Sequence, residues 1–359
     1  MHCNLEVPPP SAHLFEGKNR ESSIELLRII SMLMVMLLHV NFRALNPPSI
    51  GSLEHSFAFS VVRTVVESFT FICVDVFVLI SGWFGIKAKW SRLLELVFQV
   101  MFFCLIVDIY LYFNDQIVTF SFNDVIDLIL LNDGGYWFVR SYIVLYVFAP
   151  VLNAYLNTTN EVKLRWTLIL IFFVQTVQGF VTDNPWYSYG YSPLTFMFLY
   201  LLARYMRLYP SKQTTYKIST DFCIYIFASL LTAIAALVFV VVGLNAYSVL
   251  NYLSPLVILA AVYFFLAFTK FHFTNKSVNY VAISSFAAYL LHGQKNFLDC
   301  IYCAHVQMWI THCSKVMFVI NSAIMIFGLF ALAIILDKLR IRLWDVLVSL
   351  FTNRTFKTH

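Results

Sequence analysis

Long apolar stretches alternate with short polar or Pro- and Gly-containing segments along almost the whole chain. They run at about 24–42, 57–82, 93–113, 137–156, 165–181, 191–208, 221–243, 251–270, 278–296 and 316–337. Each approaches the roughly 20 residues that carry an α-helix across a hydrocarbon core, about twice the length of a barrel strand. The pattern predicts an all-α, polytopic membrane protein of about ten transmembrane helices. It divides the chain into an N-terminal arm (1–22), a helical membrane domain (23–338) and a tail (339–359).

Composition supports the same class. The chain has 359 residues, of which 60% are hydrophobic and only 12% charged, with a mean hydropathy of +0.77. Soluble domains carry about a quarter charged residues, so this surface is suited to lipid and an ordinary soluble globular protein is excluded.

The formal charge of +5 is scattered in small clusters, which argues against a nucleic-acid partner and for a topology signal. Basic residues fall in the N-terminal arm (Lys18, Arg20) and in the second (Lys87, Lys89, Arg92), fourth (Lys163, Arg165), sixth (Arg204, Arg207, Lys212, Lys217) and eighth (Lys270, Lys276) inter-helix segments, and again in the tail. The odd segments hold only Arg43 in the first and Lys295 and Lys315 in the ninth. The positive-inside rule then places both termini in the cytoplasm, as an even number of spans requires. The arm lacks the basic start and apolar core of a cleavable signal peptide, so the first helix is expected to act as an uncleaved anchor. The third segment, with Asp115, Asp124, Asp127 and Asp133, is expected outside, its Val125–Leu130 stretch being either a short interfacial helix or the hydrophobic foot of a solvated loop.

Charged side chains inside spans need a partner or a task. Arg28 and His39 share the first span; their spacing amounts to three turns plus about 20°, which puts both on one face about 16 Å apart along the axis. Glu25 is placed to pair with Arg28, and Arg63 with Glu67. Asp75 lies inside the second span and calls for a His or Arg on a neighbouring helix, while Ser81 and Gly82 at its end permit close backbone approach. Cys73, Cys104 and Cys223 lie in apolar runs where a thiol packs as a small hydrophobe. Cys300, Cys303, His305, His312 and Cys313 match a zinc site only weakly. In an outward, oxidising compartment a disulfide is the better expectation, with free thiols the alternative and no metal expected.

Arg28, ten residues and then His39 in the first span, followed by VDVFVLISG at 74–82 and basic residues at the next cytoplasmic edge, resemble the acyltransferase-3 family of bacterial membrane O-acyltransferases. YWFVRSYIVLYVFAPVLN at 136–153 and SSFAAYLLH at 284–292 resemble later elements of that family, so the likeness covers roughly 20–340. Many members carry a doubled arginine after the second span. Here Lys87, Lys89 and Arg92 keep the charge, but only Arg92 offers a guanidinium fork.

The resemblance implies transfer of an acyl group, in the first instance acetyl, from cytoplasmic acetyl-CoA to a hydroxyl of a surface glycan or its lipid-linked precursor at the bacterial inner membrane. Acyl-CoA is then a donor substrate and no bound cofactor is needed. In this chemistry His39 suits a general base or a transient acyl carrier, and Asp75 would orient it. Arg28 would hold the pantetheine or phosphate end of the donor, with Lys87, Lys89 and Arg92 as the cationic rim where it enters. Trp137, Arg140, Tyr289 and His292 would serve the acceptor, His292 in a binding or structural role. A proton-coupled transporter or flippase is the competing reading of the same intramembrane charges, although no inverted repeat or broken helix is visible. A structural scaffold would leave the shared face of Arg28 and His39 unexplained.

Overall fold

The computed structural model describes residues 21–114, 136–182, 184–211 and 215–355, which are helical or irregular and contain no strand. The principal helices are α1 (Ser22–Leu38, continued by a π turn at His39–Arg43), α2 (Phe57–Thr70), α3 (Cys73–Phe84), α4 (Trp90–Phe113), α5 (Trp137–Thr158) and α6 (Glu161–Gln175). They are followed by α7 (Pro193–Leu208), α8 (Ile218–Val241), α9 (Pro255–Thr269), α10 (Lys276–Ala282), α11 (Phe286–His292), α12 (Ala304–His312) and α13 (Lys315–Thr355). Among the described residues seven helical runs are long and apolar enough to cross a membrane: 22–43, 57–84, 90–113, 137–158, 161–181, 218–241 and 315–350. Their outward faces carry Leu105, Ile109, Val151, Phe173, Ile234 and Phe327, side chains that only a lipid environment leaves exposed in such number.

The remaining apolar stretches form shorter helices for local reasons. Helices α7 and α9 begin at Pro193 and Pro255, later than the hydropathy boundary, because proline suits the first helical turn and lacks the hydrogen that an interior position needs. Ser192 caps α7, its Oγ accepting the Leu194 amide at 3.2 Å. The stretch at 278–296, expected as one helix, breaks at 283–285 into α10 and α11; Ser285 Oγ donates to the Ala282 carbonyl at 2.9 Å, which draws that carbonyl into a local side-chain bond. Residues 339–355 of the expected tail continue α13. Its first turns past 338 are held by the buried Arg340, which bonds Asp337 Oδ1 through Nε at 3.0 Å and reaches Glu95 of α4 at 3.3 Å, while Gln99 Nε2 donates to the same Asp337 oxygen at 2.9 Å.

Helices α1 and α3 form the centre. The most apolar stretch of the α2–α3 span is 72% buried and that of α1 with its π turn 56%, against 17% for α13. Helix α3 packs closely on α7, because a Cβ at Gly82 would fall 2.6 Å from the Tyr200 carbonyl oxygen. Gly82 is thus the contact point anticipated at the end of the second span. Cys73 and Cys104 are buried as expected, whereas Cys223 is exposed. The Val125–Leu130 stretch lies outside the described residues.

Candidate functional site

The face of α1 that bears Arg28 and His39 also bears Met32 and Val35. Met32, Val35 and His39 line a cavity of about 390 Å³. At His39 the helix changes pitch: the Ala44 amide bonds the His39 carbonyl at 2.9 Å, five residues back, so a π turn spans His39–Arg43. Such turns insert one residue and re-aim the side chains around it.

A clamp from α2 holds this turn. Asn41 Nδ2 donates to the Arg63 carbonyl at 2.8 Å and to Glu67 Oε2 at 3.3 Å. Arg63 returns Nε to Asn41 Oδ1 and Nη2 to the Asn41 carbonyl, both at 2.9 Å. Arg63 and Glu67, expected to neutralise one another, are linked through Asn41, because the widened turn brings its amide between them.

The His39 ring meets another imidazole. His39 Nδ1 is 3.0 Å from His292 Nε2, and His292 Nδ1 contacts the Ala288 carbonyl one turn earlier in α11. A carbonyl oxygen only accepts, so His292 Nδ1 carries the hydrogen and its Nε2 presents a lone pair. In the neutral pair His39 Nδ1 must then be the donor, which leaves the lone pair of His39 on Nε2. His292 is fully buried, and Tyr302, its ring centroid 5.3 Å away, donates from Oη to the Met36 carbonyl at 2.8 Å. Helix α11 is pinned further by Tyr136, whose Oη donates to the Leu290 carbonyl.

Asp75, expected to orient His39, makes no hydrogen bond to it. Both its carboxyl oxygens are buried without a hydrogen-bond partner among the described residues; its neighbours Val74 and Phe77 line the cavity instead. The position beside His39 that an Asp was expected to fill is occupied by His292, so a residue assigned to acceptor binding or packing is the immediate neighbour of the central imidazole.

The cavity walls are aromatic. Trp137 lies 4.3 Å from Tyr191 and 5.7 Å from Tyr252 between ring centroids, and Phe138 packs on Tyr289 at 6.0 Å and Phe286 at 6.1 Å. Trp137 and Tyr289 line the cavity, whereas Arg140 is exposed and is not a lining residue. Tyr191, Tyr247, Tyr252 and Phe286 were not anticipated, since aromatic residues are common throughout the sequence. Arg43 and Lys295 also line the cavity. Their signal in the sequence was their position in odd-numbered segments, against the prevailing charge bias.

The expected donor-side residues lie apart from this cavity. Arg28 is half-buried with Nε 4.0 Å from Glu25 Oε2, the anticipated i,i+3 pair. Lys87, Lys89 and Arg92 are exposed at a turn whose backbone is fixed by side chains. Ile86 N–H donates to Tyr200 Oη at 3.1 Å, and Asn153 Nδ2 donates to the Ile86 carbonyl at 3.0 Å. Tyr146 Oη accepts the Lys89 amide at 2.7 Å and donates to its carbonyl at 3.0 Å. Gly85 begins the turn at φ 76°, a left-handed value that a side chain would strain. Two further arginines close on it: Arg204 Nη1 reaches the Trp83 carbonyl at 3.4 Å, and the Arg207 guanidinium sits 5.2 Å from the Trp83 ring.

In the ninth segment Cys300, Cys303 and Cys313 are free thiols, so the expected disulfide is not formed. The reason is local helicity: 298–303 is a π turn running into α12, which gives Cys300 an exposed face and buries Cys303. Among the described residues no group of His, Cys, Asp and Glu is arranged to hold a metal.

Fold and site together define a multi-pass helical membrane protein with two bonded imidazoles, of which His292 is buried and His39 lines an aromatic cavity. The acyltransferase-3 family model, described as an acyltransferase domain, matches residues 21–338. The chain belongs to this family and is a membrane acyltransferase. No curated protein and no solved structure matches it.

Proposed function

We propose that the protein transfers an acyl group, acetyl in the first instance, from cytoplasmic acetyl-CoA to a hydroxyl of a glycan or lipid-linked sugar at the bacterial inner membrane, with His39 as general base. The observation that carries this reading is the hydrogen bond from His39 Nδ1 to His292 Nε2, on a ring that lines the aromatic cavity. His39 Nε2 takes the acceptor hydroxyl proton as the oxygen attacks the thioester carbonyl. The carbon–sulfur bond breaks, and the same nitrogen returns the proton to the departing thiolate. His292 acts as a positioning residue that fixes the tautomer of His39, a task a backbone carbonyl or carboxylate performs in other histidine sites. Aromatic faces such as Trp137 suit the apolar faces of a sugar ring. Arg28 and the turn bearing Lys87, Lys89 and Arg92, with Arg204 and Arg207 beside it, offer the donor its positive charge.

The test is turnover in reconstituted proteoliposomes with acetyl-CoA and a membrane glycolipid fraction, read as release of free CoA thiol. His39→Ala is expected to lower the rate by about 10²–10⁴-fold, with insertion and donor binding retained. A normal rate in that variant would remove His39 from the chemistry. A protein that moves the glycolipid without releasing thiol would be a transporter.

A further inference from the structure

Two of the three cationic exceptions to the topology signal gather at one place. Of the basic residues in the odd-numbered segments, Lys315 is engaged structurally, its Nζ 3.3 Å from Ser56 Oγ and 5.5 Å from the Phe59 ring centroid. The others, Arg43 and Lys295, both line the cavity that holds His39, although they lie far apart in the sequence and at the ends of different helices. Both are exposed at its mouth. Arg43 Nη2 bonds Asp299 Oδ1 at 2.8 Å, which orients the guanidinium while using one of its five N–H donors. Lys295 has no ion-pair partner among the described residues. One carboxylate against two cations leaves the mouth positive, where the positive-inside rule disfavours basic residues.

We infer that the acceptor is an anionic sugar, bearing a carboxylate or a phosphate that Arg43 and Lys295 hold at the mouth while its ring lies among the aromatic walls. This rests on the proposed transfer reaction and specifies its acceptor. A neutral sugar would be satisfied by stacking and hydroxyl contacts alone and would give no reason for the two cations. The anion sets how the sugar enters, and so which hydroxyl reaches His39.

The experiment uses the full chain in lipid nanodiscs and matched oligosaccharides: a glucuronate-containing one, its carboxyl-reduced glucose counterpart, and the corresponding sugar 1-phosphate. Binding is measured to the His39→Ala variant, and acylation by the unaltered protein from acetyl-CoA. At least one anionic sugar is expected to bind about tenfold more tightly than the neutral one, with the margin shrinking as salt is raised. The carboxylate and phosphate arms show which anion is preferred. Lys295→Gln should reduce the margin about threefold or more, Lys295→Arg should restore it, and neutral-sugar binding should stay within about twofold. Equal binding of charged and neutral sugars, or a margin indifferent to Lys295→Gln, would overturn the inference. In that case acylation of the neutral sugar would leave the transfer reaction standing, whereas absence of thiol release with every sugar would count against the reaction itself.

Discussion

The two ends of the bundle are built on opposite plans. Around His39 it is side chains that are fixed: one imidazole is bonded to another, the turn beneath it is clamped by Asn41 and Arg63, α11 is tied down through Tyr136, and Tyr302 bonds the Met36 carbonyl of α1. At the cationic turn it is the main chain that is fixed, by Tyr146, Tyr200 and Asn153, while Lys87, Lys89 and Arg92 extend from it exposed. Proton transfer needs a nitrogen held to within a fraction of an ångström. Attraction of a polyphosphate needs charge in the right region and tolerates variable geometry. Each end has the rigidity its proposed task demands.

The largest effect should come from asking whether the ends face opposite compartments. In a cysteine-free background, Lys295→Cys in intact cells should react with a membrane-impermeant maleimide, and Lys89→Cys only after permeabilisation. Equal labelling of both from outside would place them on one side and break the comparison, together with the assignment of both termini to the cytoplasm.

Next in size is the contrast between the two candidates for orienting His39. His292→Ala should slow transfer by about 10–100-fold, the range for loss of a partner that fixes a histidine, with KM for donor and acceptor little changed. Asp75→Asn should remain within about threefold of the parent rate, since no described group bonds its carboxyl. The reverse order would restore the carboxylate to the role the sequence suggests for it.

Smaller changes are expected at the cationic turn. Asn153→Ala removes the bond to the Ile86 carbonyl and should raise the donor KM several-fold, about 1 kcal/mol for one hydrogen bond, with kcat nearly constant. Replacing Lys87 and Lys89 together by Gln should weaken the donor by a similar factor that vanishes at high salt. A fall in kcat alone would show that the turn positions reacting atoms.

The smallest effect should be at the cysteines. Replacing Cys300, Cys303 and Cys313 by Ser should leave activity within about twofold, and non-reducing mass spectrometry should find no linked peptide among them. A linked pair would mean that the helical turn at 298–303 is remodelled on oxidation.

What the sequence determined by itself follows from short-range physics. The cost of burying backbone polar groups in lipid is met within each helix, so apolar run length foretold an all-helical membrane chain. Helical periodicity within one span put Arg28 and His39 on one face, and Met32, Val35 and His39 of that face line the cavity. Even the helix starts at Pro193 and Pro255 and the break at Ser284 and Ser285 had local causes written in the residues. The tertiary structure alone decided who meets whom. His39 and His292 are 253 residues apart, Arg43 and Asp299 are 256 apart, and the periodicity of one helix carries no information about the neighbour it will face. Asp75 looked like the natural partner of His39 because an intramembrane carboxylate and an imidazole are chemically complementary. Packing placed another imidazole there instead, because inter-helix geometry is set by side-chain volumes and close approaches such as Gly82 on Tyr200, summed over the whole bundle.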